Sequence, residues 1–167
     1  YASLLGFSGL FTTSIGTVLR DALTDIVGED AAASWARWTM YLIFGVLYLR
    51  EMTRVRGTFM SLAYACFQAF FLYLLFGGLW FQPWYVTWLV GIGALLVGTP
   101  VANRMLLFTF TAMLVHVVTG FGWRVGWFDS YKPYLRLAAV SLVFAAPLIA
   151  WLAERDPLRR PPGASDG

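Results

Sequence analysis

Residues 79–88 read LWFQPWYVTW and connect two long apolar runs. The central Gln82–Pro83 pair is surrounded by four aromatic side chains, Trp80, Phe81, Trp84 and Tyr85. Trp and Tyr are enriched where a bilayer core meets the lipid headgroups, and proline is favoured in the first turn of a helix. The stretch therefore predicts a tight interfacial turn that opens a membrane-spanning helix.

The composition on either side of this turn is typical of a membrane protein. Of the 167 residues, 59% are hydrophobic and 13% are charged, with a mean hydropathy of +0.68, whereas soluble domains carry about 25% charged residues. A bilayer core of about 30 Å is crossed by about 20 helical residues, so the chain has room for about six spans, or roughly five at minimum. We predict an all-α, polytopic transmembrane helix bundle over residues 1–153 and a disordered cytoplasmic tail over residues 154–167.

Apolar runs mark the predicted spans at residues 1–19, 34–49, 57–76, 84–98, 105–122 and 134–152. The first two spans are separated by residues 20–30, where four carboxylates and Gly28 predict an aqueous loop or a surface helix. No charged residue occurs between Arg56 and Arg104. The third and fourth spans are therefore predicted to form one hairpin through the aromatic turn.

Basic residues favour the cytoplasmic side of a membrane protein, and their distribution predicts the orientation. With both termini cytoplasmic, five of the twelve Lys and Arg residues lie outside and seven lie inside, namely Arg50, Arg54, Arg56, Arg104, Arg155, Arg159 and Arg160. We therefore predict a multi-pass protein of the cell membrane with both ends inside. The aromatic turn and the amphipathic connection at residues 123–133 then share the outer face, where we expect the functional site.

Several classes of function are excluded by residue usage. Cys66 is the single cysteine, so neither an intrachain disulfide nor a metal–thiolate cluster can form. The net charge of +3 is too small and too dispersed for a nucleic-acid surface. The sequence shows no Ser/His/Asp pairing, no phosphate-binding loop and no zinc-ligand spacing, so it predicts no metal site, requires no cofactor and identifies no catalytic residue. A general base on the outer face would come from five carboxylates, Asp21, Asp25, Glu29, Asp30 and Asp129, which more commonly form a solvated acidic surface.

His116 is the only histidine and lies inside the fifth predicted span. An ionisable side chain within a span is a functional hypothesis by default, and a neutral imidazole can ligate a haem or a chlorophyll-type pigment. The alternative is a neutral histidine that hydrogen-bonds to a neighbouring threonine or backbone carbonyl, and we favour this second interpretation.

Arg124, Lys132 and Arg136 flank the 123–133 connection on the predicted outer face. Cationic donors at a membrane surface suit the oxygens of a lipid-linked phosphate. The same three residues are typical of flanking charges that anchor the ends of two spans, and this is the interpretation that we favour. Both interpretations stay open from the sequence.

The run FQPWYVTWLVGIGALL at residues 81–96, followed by RMLLFTFTAMLVHVVTGFGW at residues 104–123, resembles the later transmembrane helices of membrane-integral, polyprenyl-phosphate-dependent glycosyltransferases with the C-type fold. The nearest similarity is to the bacterial mannosyltransferase-like group. The resemblance implies that the donor is a sugar on a polyprenyl-phosphate lipid. It also implies that an outer-face cleft is shaped by Phe81, Gln82, Trp84 and Tyr85, and that Arg124 or Lys132 contacts the lipid phosphate.

In that family the catalytic acid lies in a large external loop after the first span, and no such loop is identifiable in this sequence. The chain also begins at Tyr1 rather than at a methionine. By resemblance it corresponds to the C-terminal half of such an enzyme, or to a shortened relative, and we do not expect it to be catalytic by itself. The alternative hypothesis is a non-catalytic accessory subunit of a multi-subunit membrane complex, respiratory or photosynthetic, that contacts a pigment or quinone and other membrane subunits.

Overall fold

The computed structural model describes residues 14–79, 81–124 and 132–154, except for the side chains of residues 115, 116, 118–124 and 132–136. Within these ranges the chain forms six α-helices: α1 (Ile15–Val27), α2 (Glu29–Met52), α3 (Phe59–Leu72), α4 (Val86–Gly93), α5 (Pro100–Arg124) and α6 (Lys132–Ala153). A π-helical turn, Tyr73–Gly77, extends α3, and two 3-10 turns, Pro83–Tyr85 and Ala94–Leu96, flank α4. The predicted all-α fold is confirmed for these residues.

The first hairpin pairs α1 with α2 through Gly28, whose φ of 83° suits glycine. Ser14 has an extended backbone and caps α1, because its hydroxyl accepts a hydrogen bond from the Thr17 amide at 3.1 Å. A single helix over residues 1–19 is therefore wrong, since a new helix begins after Ser14. Residues 20–30 are helical except at Gly28, as the surface-helix alternative predicted, while residues 1–13 lie outside the described part of the chain.

Each of the other five predicted spans coincides with helical structure, but the start of α5 differs. Residues 99–104 were predicted to connect the fourth span, 84–98, to the fifth, 105–122, whereas Pro100 is the first residue of α5. Proline is favoured at that position because its missing N–H has no helical partner there anyway. Gly98, with φ 87°, makes the sharp turn just before it. Arg104 consequently lies in the second turn of α5 rather than in a flanking loop.

The aromatic turn does not lie at an end of the bundle. The turn contacts the start of α1, because the Ser14 hydroxyl donates to the carbonyl oxygen of Leu79 at 3.0 Å. The start of α1 in turn packs on the middle of α2, because a Cβ at Gly16 would lie 3.2 Å from Met40 Cγ. Leu79 therefore lies beside the middle of α2. Phe81 packs against Phe108, and α5 continues from there to Arg124, roughly 24 Å further at about 1.5 Å per residue. Each arm of the hairpin formed by α3 and α4 is thus shorter than α2 and α5.

The core next to this turn is built from aromatic rings. The ring of Phe81 is 5.7 Å from that of Phe108 and 5.1 Å from that of Phe144, and Phe71 packs edge-on against Phe108. These rings come from α3, the turn, α5 and α6. The aromatic contacts therefore fix the position of the turn along the length of α5 and α6.

By length and composition, one helical segment in the described ranges could cross a bilayer, namely Phe59–Gly77. Pro83–Leu96 and Leu137–Ala153 are apolar but shorter. The number of membrane spans therefore stays a prediction.

Candidate functional site

The most unusual side chain in the described part of the chain is Arg104, which is buried with only 1% of its surface exposed. Its Nη2 donates a hydrogen bond to Gln68 Oε1 at 3.0 Å, and its Nη1 lies 3.3 Å from Glu154 Oε2. A buried charge is tolerated only where it is paired and hydrogen-bonded. Arg104 meets that requirement with partners on α3 and just beyond the end of α6.

Two phenylalanines on α3 complete the surroundings of the guanidinium. Its Cζ lies 4.5 Å from the ring centroid of Phe71 and 5.3 Å from that of Phe67. A cation over an aromatic face is attracted by the electron-rich ring, and this attraction is stronger when water is excluded. The two rings therefore add to the stabilisation of the charge by Gln68 and Glu154.

The Gln68 amide transmits the contact to a second polar side chain. Because Gln68 Oε1 accepts from Arg104, its Nε2 is left to donate, and it does so to Tyr64 Oη one turn earlier on α3. Glu51, at the end of α2, is buried beside this group and is near enough to interact electrostatically with both Arg104 and Tyr64. We call these five residues, Glu51, Tyr64, Gln68, Arg104 and Glu154, the Arg104 cluster.

Charge within the Arg104 cluster is not fully compensated by hydrogen bonds. Four side-chain atoms have no hydrogen-bond partner in the ranges that the structure describes, namely Nε and Nη1 of Arg104 and Oε2 of both Glu51 and Glu154. Burial raises the pKa of Glu154 above the usual range of a glutamate, although the nearby Arg104 charge acts in the opposite direction. The cluster is closed to solvent at Arg104, so the arrangement suits a fixed link between four helices rather than acid–base chemistry on a ligand.

A second polar position lies in the aromatic turn. Gln82 has 3% of its surface exposed, and its side-chain Oε1 has no hydrogen-bond partner among the described residues. Its backbone carbonyl accepts from the Tyr85 amide at 2.9 Å, which closes the 3-10 turn begun by Pro83. Within the described part of the chain, the turn therefore holds a buried amide oxygen to which no donor is directed.

The predicted site residues are distributed over two surfaces of this turn. Phe81 and Gln82 point into the protein, whereas Trp84 is 57% exposed and Tyr85 stacks on Trp88 with ring centroids 5.1 Å apart. Trp80 lies outside the described residues. These residues are thus neighbours in sequence, but Phe81 and Gln82 face the interior whereas Trp84 faces outward.

The remaining predicted residues lie outside the description or away from the turn. The side chains of His116, Arg124, Lys132 and Arg136 are not described, and neither is Asp129. Of the carboxylates predicted for the outer face, Asp21 pairs with Arg20 at 2.7 Å, and three others, Asp25, Glu29 and Asp30, are exposed at the junction of α1 and α2. Whether the lipid-phosphate and cofactor positions assemble stays a prediction.

The sequence analysis missed the Arg104 cluster. One signal was present: Gln68 is the only amide side chain in the apolar run of residues 57–76, and such a residue inside a hydrophobic segment usually faces a polar partner.

Comparison of the chain with protein-family models, with curated proteins and with solved structures found no match.

Proposed function

We propose that this chain is the multi-pass membrane portion of a polyprenyl-phosphate-dependent glycosyltransferase. In this proposal it contacts the sugar-carrying lipid at the aromatic turn, and the catalytic acid is supplied from outside these 167 residues. Two observations support the proposal: the distribution of polar residues supports the membrane location, and Gln82 carries the assignment of the ligand.

Polar and apolar side chains are distributed as expected for a protein in lipid. Arg104, Gln68 and Glu51 are buried, whereas large apolar side chains such as Leu42 and Phe110 are exposed along the helices. Large exposed apolar patches on a protein commonly mark a contact surface for a membrane or for another protein. The distribution supports more membrane spans than the single one indicated by length and composition.

Gln82 supports contact with a sugar-bearing ligand. A buried carbonyl oxygen without a partner costs about 1–3 kcal/mol, so its retention is understandable if a ligand supplies the donor. A sugar hydroxyl is such a donor. The stacked Tyr85–Trp88 pair and the exposed Trp84 lie on the next helical turn and offer aromatic surface to the lipid chain or to a sugar ring.

The membrane location is tested with Cys66, the single cysteine, which is exposed on α3. In intact membranes we expect a membrane-impermeant maleimide to leave Cys66 unlabelled until detergent and denaturant are added. The matched control is the variant Cys66→Ala with Glu29→Cys, which places the thiol on the exposed start of α2 and should be labelled at once from one side. Equal, rapid labelling of both thiols would exclude a lipid-facing α3.

The ligand is tested with the full reading frame expressed in membranes and a radiolabelled polyprenyl-phosphate mannose as donor. We expect Gln82→Ala to reduce sugar transfer about tenfold, the effect of losing about 1.4 kcal/mol of hydrogen bonding. The control is Val90→Ala on the exposed face of α4, which should transfer sugar normally. Absence of transfer by the unaltered frame, with no external acidic loop encoded upstream, would remove the transferase proposal.

A second candidate function, an accessory subunit, is favoured by one observation on α2. Five large apolar residues spaced three or four apart form an exposed stripe along this helix, namely Trp35, Trp38, Leu42, Val46 and Leu49. Such a stripe fits a helix of another subunit as well as it fits lipid. If this candidate is correct, the chain extracted in mild detergent co-migrates with another membrane protein, and Leu42→Ser releases it. If the purified chain shows an absorbance band that is lost in His116→Ala, His116 ligates a pigment or haem.

A further inference from the structure

The connection between α2 and α3 carries the densest exposed positive charge in the described part of the chain. Arg50, Arg54 and Arg56 all have exposed side chains. The one carboxylate among them, Glu51, is buried and lies 3.3 Å from Arg54. Residues 50–56, which we call the arginine turn, therefore present about two uncompensated positive charges to their surroundings.

Hydrogen bonds hold the arginine turn in one shape. The Thr53 hydroxyl donates to the carbonyl oxygen of Arg50 at 2.8 Å, and the Arg54 amide donates to that of Glu51 at 3.1 Å. The Arg56 amide donates to the buried hydroxyl of Ser61 at 2.8 Å, which fixes the turn to the first helical turn of α3. Because the backbone is ordered in advance, a ligand bound by these side chains pays less entropy on binding.

Apolar side chains directly follow the arginines. Phe59, Met60 and Leu62 are exposed at the start of α3, and Val55 is exposed between Arg54 and Arg56. A cationic rim that continues into an apolar helix face matches the boundary where lipid headgroups meet acyl chains. A soluble phosphate or a nucleic acid would match the charges but not the apolar residues.

We propose that the arginine turn is a binding site for an anionic glycerophospholipid. Arg50 and Arg56 contact the headgroup phosphate, and Phe59 and Met60 contact the start of an acyl chain. Arg54 contributes less, since Glu51 already compensates its charge. The proposal rests on the membrane location described above but not on glycosyltransferase activity.

The test titrates the detergent-solubilised full chain with phosphatidylglycerol in mixed micelles and follows the rise in its unfolding temperature. Parallel arms use phosphatidylcholine and soluble glycerol phosphate. We expect stabilisation by phosphatidylglycerol alone, weakening as salt is raised, because exposed charges are screened over about 10 Å at 0.1 M salt. Stabilisation by glycerol phosphate at the same concentration would show a simple phosphate site and overturn the lipid assignment.

Single charge removals locate the site. Arg50→Gln and Arg56→Gln should each weaken the apparent affinity for phosphatidylglycerol roughly fivefold, the effect of one cation near an anionic surface. Arg37→Gln, which removes an equally exposed arginine from the other half of α2, should leave the affinity unchanged, and Arg50→Lys should retain most of it. Equal losses in Arg50→Gln and Arg37→Gln would overturn the site. Resistance of the chain to alkaline extraction from membranes reports its membrane location separately.

Discussion

Replacement of Arg104 by methionine tests whether the Arg104 cluster holds the helices together. Methionine is shorter than arginine, but its unbranched apolar side chain can contact Phe67 and Phe71, and it carries no charge. The substitution removes the hydrogen bond to Gln68 at 3.0 Å and the ion pair with Glu154 at 3.3 Å. It thereby leaves Gln68 Oε1 without its donor and Glu154 without the opposite charge beside it.

The expected cost follows from these losses. Removing one partner of a buried ion pair typically costs about 3–5 kcal/mol. The lower end applies because the Glu154 side chain retains 12% exposure and can reach water, and because methionine avoids the desolvation of a guanidinium. We expect a loss of about 3 kcal/mol, which lowers the unfolding temperature of a chain of this size by roughly 6–12 °C.

Tryptophan fluorescence during thermal unfolding in detergent micelles measures this change. Arg37→Met, at an exposed position on α2, is the matched control and should change stability by less than about 0.5 kcal/mol. A double-mutant cycle with Gln68→Leu isolates the contact between the two side chains. We expect the double variant to be about 1–2 kcal/mol more stable than the sum of the single losses predicts.

Two outcomes would refute this account of the cluster. One is a loss of stability in Arg104→Met no larger than that in Arg37→Met, which would mean that the buried guanidinium contributes nothing net. The other is strict additivity of Arg104→Met and Gln68→Leu, which would mean that the two side chains do not interact in the folded protein.

Two further predictions concern Glu154 and the glycines of α4. Because burial raises the pKa of Glu154, this group adds most to the free energy of unfolding below the ordinary glutamate pKa of about 4.3, and its contribution falls as pH rises through the folded pKa. Glu154→Gln should therefore flatten the dependence of unfolding temperature on pH. Parallel curves for the variant and the unaltered chain would contradict the pKa shift. Gly93→Ala should destabilise the fold by about 1–3 kcal/mol, since its Cβ would overlap Met105 Sδ. Gly91→Ala, where nothing lies within 4 Å of the new Cβ, should raise the free energy of unfolding by about 0.5–1 kcal/mol through helix propensity. Equal shifts of the unfolding temperature in Gly91→Ala and Gly93→Ala would show that α4 and α5 do not pack closely at Gly93.

The positions of most helices follow from local sequence. Apolar runs and prolines predicted α2, α3, α4 and α6 to within a few residues, because helix length and helix starts depend on nearby residues. The Gln82–Pro83 turn was predicted for the same reason. Three helix starts differ from the predicted spans: α1 begins after Ser14, α2 begins at Glu29 and α5 begins at Pro100. Ser14 and Pro100 act through capping rules, which the hydrophobic pattern does not contain.

The position of the aromatic turn and the Arg104 cluster could not be predicted in this way. The position of the turn along the bundle depends on the axial offset of α1, α2 and α5 relative to the α3–α4 hairpin. No local sequence pattern encodes that offset. The cluster joins Gln68 to Arg104 across 36 residues, and it needs a specific rotation of each helix. Arg104 was consequently interpreted as a flanking charge, because charges near a helix start are usually solvated.

The Arg104 cluster also constrains the order of events during folding. Glu154 follows the last helix, so the ion pair with Arg104 can form only after α6 has been synthesised and packed. Contacts that join distant parts of a chain form late, because the intervening loop must close first. Until then the guanidinium has only its partners on α3 and α2. Packing of α6, the last helix in the described part of the chain, therefore completes the cluster, and a chain arrested before residue 154 would lack the carboxylate that pairs with Arg104.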